Sequence, residues 1–323
     1  MKKARLCVHS GRGKKNGKSF NVSHNDRRAE RGNEADKHIR TGLSGMNKYD
    51  TCYGADMDFK EAEIRFYEEN YGATIRARNE RYIAQGHADR VRTVMDLYQD
   101  KKTAPMETLL YLGDVEHLNA IKQFLGSEFQ ARKVMREIIW DAYQELRKAV
   151  FEPYSANIHE LTVALHADED GMCHLHTRQV CDYVNEKGEK VISQNKALEK
   201  CGFQPPNLES KVNRFNNRKQ TYSAFLRESW ISACRIALAR FKSKNPNLEK
   251  IADVLGNFEL TPEKPRKRDL EKNEYIIIDQ ERTIRENNRM IEHQEAFKIF
   301  HREALEVEAE AERERARGRG RGR

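Results

Sequence analysis

The sequence predicts an α+β fold: an antiparallel sheet that carries its histidine strand centrally, helices on one face, and a long helical C-terminal extension. Three observations predict it. The short apolar runs at 4–9, 107–112 and 161–165 have the length of strands. The stretches 58–103 and 119–150 space their apolar residues for helices. Beyond Pro262 the chain is dominated by charge.

Residues 4–9, Ala-Arg-Leu-Cys-Val-His, form a first strand. The loop at 10–18 is rich in Gly and Lys, which let the backbone approach phosphate oxygens and supply positive charge. It lacks P-loop spacing, so nothing there supports nucleotide hydrolysis. Ser23-His24-Asn25-Asp26-Arg27-Arg28 is a compact polar cluster. It reads either as a helix N-cap followed by solvated charge, or as a nucleophile or base (His24) beside an amide and a guanidinium.

Within 58–103, Ile64, Tyr67, Tyr71, Ile75, Tyr82 and Ile83 recur at helical spacing, a core-packing face. Gly113-Asp114 closes the strand at 107–112. From Asn119 to Val150 one apolar side runs through Ile121, Leu125, Phe129, Ile138, Ala142 and Leu146, and Pro153 ends it. A strand into the histidine cluster begins near Ile158. Residues 180–191 read as a strand or hairpin turning at 186–189, and Ser193-Gln194-Asn195 caps a short helix at 196–200 that ends at Gly202.

From Lys211 to Lys244 basic residues interleave with Phe215, Tyr222, Phe225 and Trp230. These aromatics are either a core face or a platform on which bases stack. Residues 261–268 form a linker before a charged helix that runs to about residue 316. There Ile277, Ile284 and Ile291 repeat by seven, with Gln280, Asn287 and Gln294 at the second heptad position, a pattern that suggests a homodimer. The end, Arg317-Gly-Arg-Gly-Arg-Gly-Arg323, is a cationic tail suited to nucleic-acid contact.

A net charge of +8 favours a polyanionic partner. With 34% charged residues and a mean hydropathy of −0.90, the chain is more polar than an ordinary globular enzyme. The N-terminus has no apolar segment of a signal peptide, and no run approaches the roughly 20 residues of a membrane span. The six cysteines form no Cys-x-x-Cys pair, so reduced thiols and a cytoplasmic location are expected.

The chemistry concentrates in residues 166–176, His-Ala-Asp-Glu-Asp-Gly-Met-Cys-His-Leu-His. Strand alternation points His174 and His176 the same way and Leu175 into the sheet. His166 ends the preceding strand, and Asp170-Gly171 is a hairpin turn signal that folds it back toward the pair. Three imidazoles then face one point, with Glu169 or Asp168 as fourth ligand or base, which is a metal site in outline. Cys173 reads as a small buried neighbour. Nitrogen ligands favour Mn²⁺ or another transition ion over Mg²⁺.

Two motifs together resemble the MobV (Pre/Mob) family of plasmid mobilisation relaxases and recombination enzymes, within the histidine-hydrophobic-histidine (HUH) endonucleases. Ala4-Arg5-Leu6, the glycine-bearing loop and His24-Asn25-Asp26-Arg27 resemble the family's first motif, whose core is His-Asn-x-Arg. His166-x-Asp168-Glu169 followed by His174-x-His176 resembles its metal motif, His-x-Asp-Glu-x-x-Pro-His-x-His, with one residue added and Cys173 in place of the proline. Asn47-Lys48-Tyr49-Asp50 is a degenerate match to a further Asn-Tyr-Glu/Asp-Leu motif.

The resemblance implies an HUH-type catalytic domain over 1–205, with 58–103 as a candidate helical insertion. A basic helical DNA-binding segment would follow at 206–260, then the linker, charged helix and tail at 261–323. It implies nicking of plasmid DNA, single-stranded or supercoiled, at an origin of transfer, and strand transfer through a covalent 5′-phosphoryl intermediate. His24 would be the nucleophile, Arg27 would stabilise phosphate charge and Asn25 would orient the imidazole. His166, His174 and His176 would ligate a divalent ion, with Glu169 as fourth ligand or base. Tyr49 and Tyr53 are the next candidate nucleophiles. The rival readings are a rolling-circle replication initiator of the same superfamily and a non-catalytic DNA-binding protein with a structural zinc. A zinc hydrolase of small substrates fits the basic composition poorly.

Overall fold

The structure, a computed structural model, describes residues 4–11, 22–28, 39–256, 258–260 and Arg313. Most of the Gly- and Lys-rich loop, the linker, the heptad helix with its dimer expectation, and the terminal tail lie outside the described residues.

Seven strands among the described residues form one sheet: β1 (Ala4–Gly11), β2 (Lys48–Thr51), β3 (Met106–Leu112), β4 (Ile158–His166), β5 (His174–Val184), β6 (Lys190–Ile192) and β7 (Phe258–Leu260). Their order is β2-β4-β5-β3-β1-β7, with β6 continuing beside β5. The pairings are antiparallel except β1 with β7. The two histidine-bearing strands therefore lie inside the sheet, as expected.

The larger helical layer covers one face. It comprises α3 (Val115–Leu125), α4 (Glu128–Leu146), α5 (Gln194–Lys200), α6 (Arg218–Lys244) and α7 (Glu249–Gly256). Leu110, Leu112, Val163, Leu165 and Leu175 of the strands pack there with Met135, Ile138 and Ile139 of α4 and Phe225 and Trp230 of α6. The opposite face also carries helix: α1 (Phe59–Ala84) and α2 (Val94–Gln99) bring Tyr67, Tyr71, Ile75 and Val94 against Leu161 and Val180. A register shift between Glu160 and Thr162 turns both Leu161 and Thr162 toward α1. The expected single helical layer is thus joined by a second, which leaves the histidine end of the sheet to other segments.

The helix expected from Asn119 to Val150 is broken. Gly126 takes φ +69 and ends α3 in the left-handed region that glycine adopts at little cost, and Ser127 restarts the chain as N-cap of α4. Three of the four aromatics singled out in the 211–244 stretch resolve as core, whereas Phe215 is half-buried with the Arg214 guanidinium over its ring. Tyr222, Phe225 and Trp230 are each at most 1% exposed, so a base-stacking role for them is ruled out. The α6 helix is lined with apolar residues on most sides because the sheet, α4, α5 and α7 all pack against it. No helix among the described residues is long and apolar enough to cross a membrane.

Candidate metal centre

His166 and His174 are a cross-strand pair at the end of β4 and β5 that the 167–173 loop joins, and His176 lies opposite Ala164 one pleat further along. Strand alternation places all three rings on one face, and their candidate ligand atoms lie within 4.8 Å of one another. The second nitrogen of each ring is tied to an oxygen. His174 Nδ1 lies 3.0 Å from the Met172 carbonyl, His176 Nδ1 lies 2.9 Å from Glu107 Oε1, and His166 Nε2 lies 3.0 Å from the Asn25 carbonyl. Carbonyl and carboxylate oxygens only accept, so those ring nitrogens carry the protons and donate. The remaining nitrogens then present lone pairs inward, and His174 Nε2 and His176 Nε2 stand 3.1 Å apart.

Two lone pairs at that separation repel, and a shared cation removes the repulsion. Burial, followed by neighbouring positive or imidazole groups, lowers the pKa of all three rings, that of His174 to about 4. The imidazoles are therefore neutral near pH 7, the state a metal requires. Donor chemistry, tautomers and burial all fit a divalent cation.

The two carboxylates separate in role. Glu169 places Oε1 3.5 Å from His166 Nδ1 and Oε2 3.7 Å from His174 Nε2. Burial opposes its ionisation, but the Arg27 guanidinium beside it holds it well below the usual carboxylate range. Asp168 instead accepts hydrogen bonds from Ser44 Oγ and Asn47 Nδ2, both at 2.8 Å, and pairs with Arg27. It is an anchor for the arginine, and Glu169 is the carboxylate that faces the histidines.

Residues 22–28 run alongside this cluster. Asp26 ties the segment to the start of α1 by accepting from the Phe59 amide at 2.8 Å and from Arg28. Asn25 contributes its carbonyl to His166 and donates Nδ2 to Glu107 Oε2 at 3.0 Å, so it positions the histidines and their carboxylate. Arg27 reaches Asp168, Glu169 and, at 3.1 Å, His166 Nδ1. His24 is exposed at the end of a short 3₁₀ turn that immediately precedes Asn25.

The alternative nucleophiles are differently placed. The Tyr49 hydroxyl accepts from Asn47 Nδ2 at 3.1 Å, and burial raises its pKa. Tyr53 is bonded to Glu69 of α1 beneath the Arg65 guanidinium, and burial and Glu69 push its pKa up.

The connection between β4 and β5 is not the tight Asp-Gly hairpin that the sequence suggested. It spans 167–173, and Gly171 is not among the glycines with positive φ. The loop is held from outside. The buried Arg132 of α4 donates Nη1 to the carbonyls of Ala167 at 3.0 Å and Gly171 at 3.2 Å, while Asn47 Oδ1 accepts from the Ala167 amide at 2.8 Å. Cys173 is buried against the Arg132 carbonyl with its pKa pushed up to about 12, outside the ligand cluster.

Sequence reasoning missed Glu107, Arg178 and Arg132, and it marked Asn47 only through the degenerate motif at 47–50. Glu107 opens the strand at 107–112, yet it is buried between His176, Asn25 and Arg178. Arg178 extends the network to Glu63 of α1, with Nε 2.6 Å and Nη2 3.0 Å from its carboxylate oxygens. A carboxylate beside an apolar strand run was the available signal for Glu107. Its partner could be named only once β3 was known to lie beside β5.

The sequence matches no known protein family. No curated protein matches it either. Among solved structures, the fold is similar to a MobM relaxase domain (MOBV; Mob_Pre) crystallised with manganese and bound to plasmid oriT DNA. The likeness covers 81% of this chain and 91% of that one, at 14% sequence identity and a TM-score of 0.37. At those values no residue role passes from one chain to the other.

Proposed function

We propose that this protein is a metal-dependent, site- and strand-specific DNA-nicking and strand-transfer enzyme acting at a plasmid origin of transfer, with His24 as nucleophile. The observation that carries this reading is the set of three inward imidazole lone pairs, each ring fixed through its other nitrogen, beside Glu169 and the buried Arg27. His166, His174 and His176 would hold the ion, with Glu169 as fourth ligand or base, and the nitrogen-rich set favours Mn²⁺. Such an ion, when bound, supplies Lewis-acid polarisation of a phosphoryl oxygen.

Charge supports a phosphate substrate. Around the histidines Asp168 and Glu169 are negative and Arg27 is positive, while Arg178 is shared between Glu63 and Glu107. A divalent ion would offset these carboxylates and put positive charge beside Arg27, where a phosphodiester oxygen could be held. The exposed His24 is reachable by a DNA strand, and the adjacent Asn25 and Arg27 tie its segment to the cluster.

A nitrogen of His24 attacks phosphorus in line, the P–N bond forms, and the bond to the 3′ oxygen breaks. The departing oxygen takes up a proton, balanced by loss of the proton on the other imidazole nitrogen. The 5′ phosphate stays on His24, and attack by a 3′ hydroxyl reverses the step. Arg27 stabilises phosphate charge in this scheme.

The test is nicking of supercoiled plasmids bearing candidate transfer or replication origins, with Mn²⁺, by wild type, His24→Ala and His174→Ala. The reading requires nicking with protein retained on the 5′ end in wild type alone. An adduct that survives His24→Ala assigns the nucleophile to a tyrosine. Cleavage confined to replication origins favours an initiator. Absence of nicking, with unfolding on chelation, favours a structural zinc.

A further inference from the structure

Of the three inward lone pairs, that of His166 already has a donor. Arg27 Nη2 lies 3.1 Å from His166 Nδ1 and also pairs with Glu169, so the guanidinium engages two of the groups assigned to the cation. A ring lone pair serves one acceptor bond at a time, and a guanidinium beside a divalent ion repels it strongly in a buried site. The arginine side chain is 5% exposed, yet its Nε has no partner among the described residues. Its present position leaves a buried donor unsatisfied, which costs stability. Nη1 is held separately by Asp168, which Ser44 and Asn47 fix in place.

We infer that Arg27 and a divalent cation are alternative partners of His166 Nδ1 and Glu169, so that cation binding displaces the guanidinium about its Asp168 anchor and frees it to bind phosphate. This rests on the cation-binding reading above and adds an order of events to it. Metal loading then arms the phosphate-binding group, and a site without metal holds that group folded onto its own ligands. The sign of the consequence is unusual. Removing Arg27, which touches a ligand and the candidate fourth ligand, strengthens cation binding, whereas a residue that merely supported the ligands would weaken it on removal.

The experiment is a Mn²⁺ titration of the full chain, by calorimetry and by electron paramagnetic resonance of free Mn²⁺. It compares wild type, Arg27→Gln, Arg27→Lys and His174→Ala, each checked by thermal melting. Arg27→Gln is expected to bind Mn²⁺ at least about tenfold more tightly than wild type. Arg27→Lys, which keeps the charge, stays near wild type. In wild type, Mn²⁺ also raises affinity for a short single-stranded oligonucleotide, and Arg27→Gln loses most of that gain. Equal or weaker Mn²⁺ binding by a folded Arg27→Gln overturns the exchange while leaving the metal site intact. Failure of folded wild type to bind Mn²⁺, or equal binding by His174→Ala, overturns the metal reading itself.

Discussion

Glu107 of β3 accepts a 2.9 Å hydrogen bond from His176 Nδ1 of the neighbouring β5, and this contact sets which nitrogen His176 turns toward the cluster. A carboxylate behind a ligand histidine fixes the ring tautomer and raises its basicity. The carboxylate is itself held by Asn25 and Arg178. Burial opposes its ionisation, but His176, Arg178 and Asn25 together keep its pKa below the ordinary value.

Glu107→Gln keeps the volume and removes the charge. Mn²⁺ affinity should fall roughly 10- to 100-fold, as measured by calorimetry, with the fold retained because Arg178 keeps Glu63. Unchanged affinity would show that the ring orientation is set by packing alone.

Arg132 touches no ligand atom described here, yet it donates to two carbonyls of the loop that separates His166 from His174. Arg132→Leu leaves both carbonyls without this donor and should cost about 2–3 kcal/mol in urea denaturation. Cation affinity should fall with it, because the loop sets the spacing of the histidines.

Acid should loosen the same loop. Glu128 binds Lys122, Arg132 and Arg40, and these hold its pKa down at about 2 against an ordinary 4.5. A folded pKa below the unfolded one means the stabilisation is present above about 4.5 and is lost as pH falls toward about 2. The carboxylate is partly solvated, so the effect is modest. Between about pH 5 and pH 2 the denaturation midpoint of wild type should drop more steeply than that of Glu128→Gln. Parallel curves would remove Glu128 from the account.

Trp230 is buried, with its indole N–H donating to the Tyr111 carbonyl at 2.9 Å, and the Tyr111 ring stacks on His174 at a centroid distance of 5.1 Å. Trp230→Ala should destabilise the fold by about 3–5 kcal/mol. DNA affinity per folded molecule should hold, measured on protein that passes a melting check. A selective loss of DNA binding at unchanged stability would restore this aromatic to a nucleic-acid surface.

The sequence by itself determined what short-range geometry controls. Alternation along a strand puts His174 and His176 on one face whatever the rest of the chain does. The run at 161–165 is a strand because it is short, apolar and followed by turn formers, and His24 to Arg28 stand out because their polar groups are adjacent. Tertiary structure decided everything that depends on which strands are neighbours. Glu107 meets His176 only because β3 pairs with β5, residues separated by 69 positions. Arg178 meets Glu63 only because α1 crosses the histidine face, and Asp168 and Glu169, adjacent in sequence, divide into anchor and candidate ligand by the position of Arg27. The same holds for the aromatics of α6, whose spacing suits both a core and a binding surface until the sheet and α4 bury them. Local pattern specifies the direction of a side chain along its own element, whereas its partner follows from the register and packing of segments distant in the chain.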